Sequence, residues 1–145
     1  MKKIIKAATC LVLTIGLLSS FAYAGAVVTR ASLYLSDYSA SISADQNGTI
    51  SISATVYGNG YLSEIGVSKV TVYESLDGKS YTKYGTFFSD DYPSMMSSGT
   101  QYRDTVFQFT GVVGRTYKAT VYCYGSDGSG SDEKPCFTDR VTAKR

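Results

Sequence analysis

Histidine and tryptophan are missing from the 145 residues, and proline occurs only twice. Without histidine the chain lacks the side chain that most often serves as general base or metal ligand near neutral pH. A serine nucleophile would then need a lysine or carboxylate base, and no strand-turn-helix elbow exposes one of the many serines. No apolar stripe at helical spacing follows Gly25, which excludes a parallel sheet, because parallel strands need crossover connections that are usually helices. Nor do Lys and Arg gather into a cluster able to follow a phosphate backbone, so nucleic acid is not an expected partner.

What is present begins with a leader. Lys2, Lys3 and Lys6 precede the uncharged run Ala7 to Leu18, and Ser19, Ser20 and Phe21 lead to the small-residue pattern Ala22-Tyr23-Ala24. This three-part order predicts a signal peptide over residues 1–24, cut between Ala24 and Gly25, and an exported, extracellular single domain over residues 25–145. The uncharged run continues to Thr29, long enough for an uncleaved anchor, but the Ala-Tyr-Ala site argues against one. Cys10 as a lipoprotein site would leave almost the whole apolar run behind it. No membrane contact is therefore expected after cleavage.

Cleavage changes the charge and the cysteine arithmetic. The chain has 14 Lys and Arg against 12 Asp and Glu; losing Lys2, Lys3 and Lys6 leaves 11 against 12, a net charge of about −1. Loss of Cys10 leaves Cys123 and Cys136 in a compartment where disulfides persist. They flank the polar stretch Tyr124 to Pro135, so a disulfide across the base of a hairpin is expected, closing about 14 residues and stabilising the fold by roughly 3 kcal/mol. Phase fits less well. Cys123 shares a face with Tyr117, Ala119 and Val121, whereas Phe137 and Val141 look more core-like than Cys136, a mismatch that a bulge near Pro135 would reconcile.

The exported part reads as strands. Tyr38, Ala40, Ile42 and Ala44 alternate with Ser39, Ser41 and Ser43, and Ile50, Ile52, Ala54 and Val56 with Ser51, Ser53 and Thr55. Gln46-Asn47-Gly48 between them supplies left-handed turn conformations, so the two runs predict a hairpin, and the same turn accounts for the glycosylation-like Asn47-Gly48-Thr49. Gly58-Asn59-Gly60 is expected to break the second strand, and Tyr61 to Gly66 to form an irregular connection anchored by Leu62 and Ile65. Further strands are predicted over Val67 to Glu74, with Val70 and Val72 inward, and over Ser80 to Phe88, where Phe87 and Phe88 leave the inward face open. Ser89 to Thr100 is expected to cross between sheets. Two more strands follow, Tyr102 to Thr110, with Thr105, Phe107 and Phe109 inward, and a run through Tyr117 to Cys123. An exposed loop over Gly125 to Lys134 and a last strand over Cys136 to Thr142 complete the reading. About seven short strands punctuated by turns predict an all-β, antiparallel two-sheet sandwich, with an open barrel as the alternative.

The tracts Arg30-Ala31-Ser32-Leu33-Tyr34-Leu35, Glu64-Ile65-Gly66, Val70-Thr71-Val72-Tyr73, Asp91-Tyr92-Pro93-Ser94-Met95-Met96 and Gly114-Arg115-Thr116-Tyr117-Lys118-Ala119, with the serine-alternating hairpin, resemble an uncharacterised family of small secreted proteins of Gram-positive bacteria. That resemblance implies secretion and a β-fold and supplies no catalytic residue. More loosely, Val70 to Phe88 and the strand of Tyr117 resemble fibronectin type III and immunoglobulin-like sandwiches, without the tryptophan and the widely spaced intersheet cysteines of antibody domains.

Tyrosine exceeds its usual share. Twelve of the 13 remain after cleavage, and Tyr57, Tyr73, Tyr122 and Tyr124 stand out of phase with the core residues of their strands. Such rings suit a protein or glycan partner, since each joins a rigid apolar face to a polar tip; they also suit plain strand packing. Carboxylates for sugar hydrolysis would come from Asp90, Asp91 and Asp104, although nothing dehydrates one of them. Asp127, Ser129, Ser131, Asp132 and Glu133 offer calcium donors at a spacing that matches no known calcium loop. The preferred reading is a secreted, non-enzymatic binding module without cofactor, acting through exposed tyrosines and the loop Ser89 to Thr100. A small secreted toxin or bacteriocin-like effector and a hydrolase are the alternatives.

Overall fold

The structure, a computed structural model, describes residues 32–145. The expected leader and its cleavage point between Ala24 and Gly25 lie outside the described residues. The chain forms β1 (Leu35–Ala44), β2 (Thr49–Leu62), β3 (Glu64–Ser75), β4 (Thr82–Phe88), β5 (Met96–Ser97), β6 (Thr100–Thr110), β7 (Thr116–Ser126), β8 (Ser131–Phe137) and β9 (Val141–Thr142). Seven are long and two are two-residue segments. They make an antiparallel sandwich. One sheet has the order β1-β2-β6, the other β4-β3-β7-β8, with β5 pairing β3 and β9 pairing β7. The fourth long strand thus joins the sheet of β3, not that of β1 as in constant-type immunoglobulin domains.

The first hairpin follows from its alternation. Ile42 pairs with Ile52 and Ala40 with Ala54, and Ile50, Ile52 and Val56 are fully buried. Asn47 (φ 62°) and Gly48 (φ 75°) supply the two left-handed residues of the turn. The opposite parity of this sheet, Ser39, Ser41, Thr55 and Asp104, faces away from the core.

Several boundaries depart from the sequence reading. Gly58-Asn59-Gly60 does not end β2; the strand bends there, losing register with β6 between Tyr57 and Leu62, and continues to Leu62. The irregular connection shrinks to Ser63, flanked by the expected anchors Leu62 and Ile65, 5% and 0% exposed. A register shift between Val67 and Lys69 switches parity, so Val67 is buried together with Val70 and Val72. In β4 the register skips Tyr84, which lets its ring pack on Phe109 and Tyr117 (5.2 and 5.8 Å). Phe87 turns inward against Phe107 at 4.6 Å, and Phe88 outward. The segment Ser89 to Thr100 crosses between the sheets, with Met95 buried as its plug.

The largest correction concerns the C-terminal hairpin. The expected loop Gly125 to Lys134 is mostly strand: β7 runs to Ser126, β8 starts at Ser131, and only residues 127–130 turn. No bulge interrupts their register, which sets Cys136 opposite Val121 and Cys123 opposite Lys134. Cys136 therefore faces inward, and Phe137, expected in the core, is 73% exposed. The last predicted strand is two elements, β8 and β9.

Candidate functional site

The outer face of the four-stranded sheet is assembled by register. Lys83 of β4, Tyr73 of β3 and Lys118 of β7 form one row; Thr86, Thr71, Thr120 and Phe137 form the next; Phe88, Lys69, Tyr122 and Pro135 a third. Tyr124 stands beside Glu133 at the far end. Each of these lies opposite in parity to the buried Val70, Val72, Val121 and Cys123, which is why the strands present them outward. Three of the four tyrosines singled out from sequence, Tyr73, Tyr122 and Tyr124, are thereby brought onto one surface, all half-buried. Tyr57 is not among them. It sits on the outer face of the other sheet, opposite Tyr102, with ring centroids 5.2 Å apart.

Polar contacts hold the three rows. The Lys69 ammonium lies 4.2 Å from the centre of the Tyr122 ring and 3.2 Å from Glu133 Oε1. Ser68 Oγ donates to Glu133 Oε2 at 2.6 Å, and Thr71 and Thr86 hydroxyls meet at 3.2 Å. Lys118 Nζ stands 4.2 Å over the Tyr81 ring. A cation over an exposed ring contributes about 0.5–1 kcal/mol, enough to favour one position of a flexible lysine.

A recess opens at each end. A cleft of about 500 Å³ is lined by Tyr124, Glu64, Ser68, Asp90, Pro93 and Met96, so the crossing segment Ser89 to Thr100 does reach one of the tyrosines. A groove of about 430 Å³ is lined by Tyr73, Tyr81, Lys118, Thr120, Phe137 and Thr138. Tyr81, Lys83, Lys118 and Phe137 were not singled out from sequence. The alternation of Lys118 with Tyr117 and Ala119 was the available signal for the lysine; Phe137 was hidden because its apolar side chain read as core.

The catalytic and metal candidates disperse. Asp104 belongs to the other sheet, where the Tyr102 hydroxyl and Thr55 Oγ1 (2.7 Å) donate to it. Those bonds, Tyr102 first, hold its carboxyl below the usual value, the opposite of what a general acid needs. Asp90 lies in the cleft on the four-stranded sheet instead. In the calcium candidate, Asp127 Oδ1 is taken by its own turn, accepting from Ser129 N (2.8 Å), Ser129 Oγ (2.7 Å) and Gly130 N (3.2 Å). Asp132 turns to Ser32 and the Tyr34 amide, and Glu133 to Ser68 and Lys69 on the other side of β8. Among the described residues no three Asp, Glu or Cys side chains converge.

Cys123 and Cys136 are free thiols, so the expected staple is not formed. The register explains it. The two are diagonal neighbours on one face, about 7–8 Å apart by general strand geometry, beyond the span of an unstrained disulfide. Burial, with a smaller contribution from Cys136, pushes the Cys123 thiol up to about 12.

No family model matches the chain, and no curated protein does. Solved structures do match. A Bordetella pertussis protein assigned as ApaA shares 11% identity at a TM-score of 0.43, over 74% of this chain and 94% of that one. The sporulation control protein Spo0M of Bacillus subtilis shares 13% at 0.38, over 71% of this chain and about half (49%) of its own length. At these scores neither carries a function to this chain.

Proposed function

We propose that the chain is an exported, non-enzymatic β-sandwich that binds another macromolecule, a protein or a glycan, through the outer face of its four-stranded sheet. The observation that carries this reading is the gathering of Tyr73, Tyr122 and Tyr124 on one face between two recesses. Aromatic rings with polar tips, ordered by neighbouring strands, lose little entropy when a partner covers them. Export rests on the residues of the leader, Lys2 to Ala24, and predicts a secreted chain beginning at Gly25, which mass spectrometry of culture supernatant reads directly. The binding reading is tested with the Tyr122→Ser, Tyr124→Ser double variant in affinity capture and on a glycan array. Folding stability is expected to change little, because both rings face outward, and whatever the native protein captures is expected to be lost. A strongly destabilised variant that still captures its partner overturns the assignment.

A further inference from the structure

We infer that the groove between Tyr73 and Phe137 is a subsite for a carboxylate-bearing oligosaccharide; the inference rests on the reading of this sheet face as a binding surface. Tyr73, Tyr81 and Phe137 give the groove aromatic walls, and its volume of about 430 Å³ lies in the range of small-molecule sites. Phe137, the last paired residue of β8, is 73% exposed, an apolar ring that no described residue covers. The faces of sugar rings are C–H surfaces that pack on such walls, while their hydroxyls need donors and acceptors nearby. Those are present. Thr120 and Lys118 line the groove beside Thr138, whose hydroxyl is already taken by the Ala119 amide (2.9 Å) and the Asp139 carbonyl (2.8 Å), and the Tyr81 phenol oxygen is buried with no hydrogen-bond partner, a state that costs about 1–3 kcal/mol until something supplies one.

Charge selects the kind of sugar. Lys83 and Lys118 flank Tyr73 in one row, and neither is in an ion pair with a described carboxylate. No acidic side chain lines the groove, whereas Glu64 and Asp90 line the cleft at the other end of the same face. Lys118 is held over Tyr81, so its ammonium is already placed where a ligand anion can reach it without ordering a free side chain. Lys118 among aromatic walls, with Lys83 beyond Tyr73 in the same row, suits one carboxylate per sugar ring better than a phosphate, whose site is normally a dense set of backbone or arginine donors.

Calorimetric titration with tetragalacturonate and with its methyl-esterified, uncharged form tests this. The acid is expected to bind, the ester at least tenfold more weakly, and the difference to shrink as salt is raised. Lys118→Gln should weaken the acid at least tenfold and leave the ester unchanged, whereas Phe137→Ser should weaken both. Both positions are on the outer face, so unfolding midpoints should stay close to that of the native protein. Absence of binding by the acid, equal binding of acid and ester, or indifference to Lys118→Gln overturns the inference, as does hexaglutamate binding as tightly as the sugar. If capture that depends on Tyr122 and Tyr124 persists while tetragalacturonate fails, the groove assignment falls alone and the surface reading stands.

Discussion

The Tyr117 hydroxyl accepts a hydrogen bond from the backbone N–H of Val112 at 2.8 Å, tying the start of β7 to the turn that precedes it. The same hydroxyl donates to Glu74 Oε2 at 3.4 Å, and Arg115 meets that carboxylate at 2.8 Å. Tyr117 is fully buried, and burial raises its phenol pKa. The arrangement is a tyrosine corner, the device that immunoglobulin-like sandwiches use where the chain passes between sheets. Tyr117→Phe leaves the Val112 amide without its acceptor and should cost about 1–3 kcal/mol. Urea unfolding checks it against Tyr84→Phe, whose hydroxyl makes only a 3.5 Å exposed contact and whose loss should stay within about 0.5 kcal/mol. Equal effects of the two would remove the corner as a stabilising element.

Gly66 and Gly60 have nearly the same φ, 148° and 145°, in different surroundings. A Cβ on Gly66 would overlap the Met95 carbonyl oxygen, whereas one on Gly60 meets nothing within 4 Å. Both alanine substitutions carry the backbone strain, of order 1–3 kcal/mol, and only Gly66→Ala adds the collision. Gly66→Ala should therefore be the more destabilising by at least about 1 kcal/mol, with the plug at Met95 loosened. Equal losses in chemical denaturation would show that the approach of β5 to β3 does not constrain this position.

The two thiols should differ in the folded protein. Cys123 is fully buried with its pKa pushed up to about 12; Cys136 is half-exposed and raised chiefly by burial. Titration with a thiol reagent should label Cys136 slowly and Cys123 only on unfolding, so that both react in the unreduced, denatured chain. No reactive thiol in that state would mean that β7 and β8 distort enough to join the pair.

Asp77 makes the β3–β4 turn sensitive to acid. Its Oδ1 accepts from the Ser80 and Lys79 amides and from Ser75 Oγ, each at 2.8 Å. These bonds, Ser80 first, lower its pKa from 3.8 to about 2. Because the folded value is the depressed one, the contribution is fully present above pH about 4 and is lost as pH falls through about 2. Asp77→Asn should flatten the dependence of the urea midpoint on pH in that window. A titration of the side-chain carboxyl by NMR that centres near 3.8 would contradict the turn geometry.

Period-two alternation is a local property, and it determined most of what the sequence alone says about this protein. Ile50, Ile52 and Val56, then Tyr117, Ala119, Val121 and Cys123, announce their strands and their buried faces, because each side chain's direction follows from its immediate neighbours. Asn47-Gly48 announces its turn for the same reason. Tertiary structure decided what depends on distant partners. The parity switch at Ser68 and the skip at Tyr84 exist only relative to β7 and β3, so Val67 and Phe87 could not be assigned from their own strands. The register of β7 with β8 placed Cys136 inward and Phe137 in water, reversing an order that hydrophobicity alone suggested. The candidate site is of this second kind. Tyr73 and Lys83 belong to consecutive strands and Lys118 lies far along the chain, and only the pairing of three strands sets them in one row, because cross-strand neighbours are chosen by register and not by sequence.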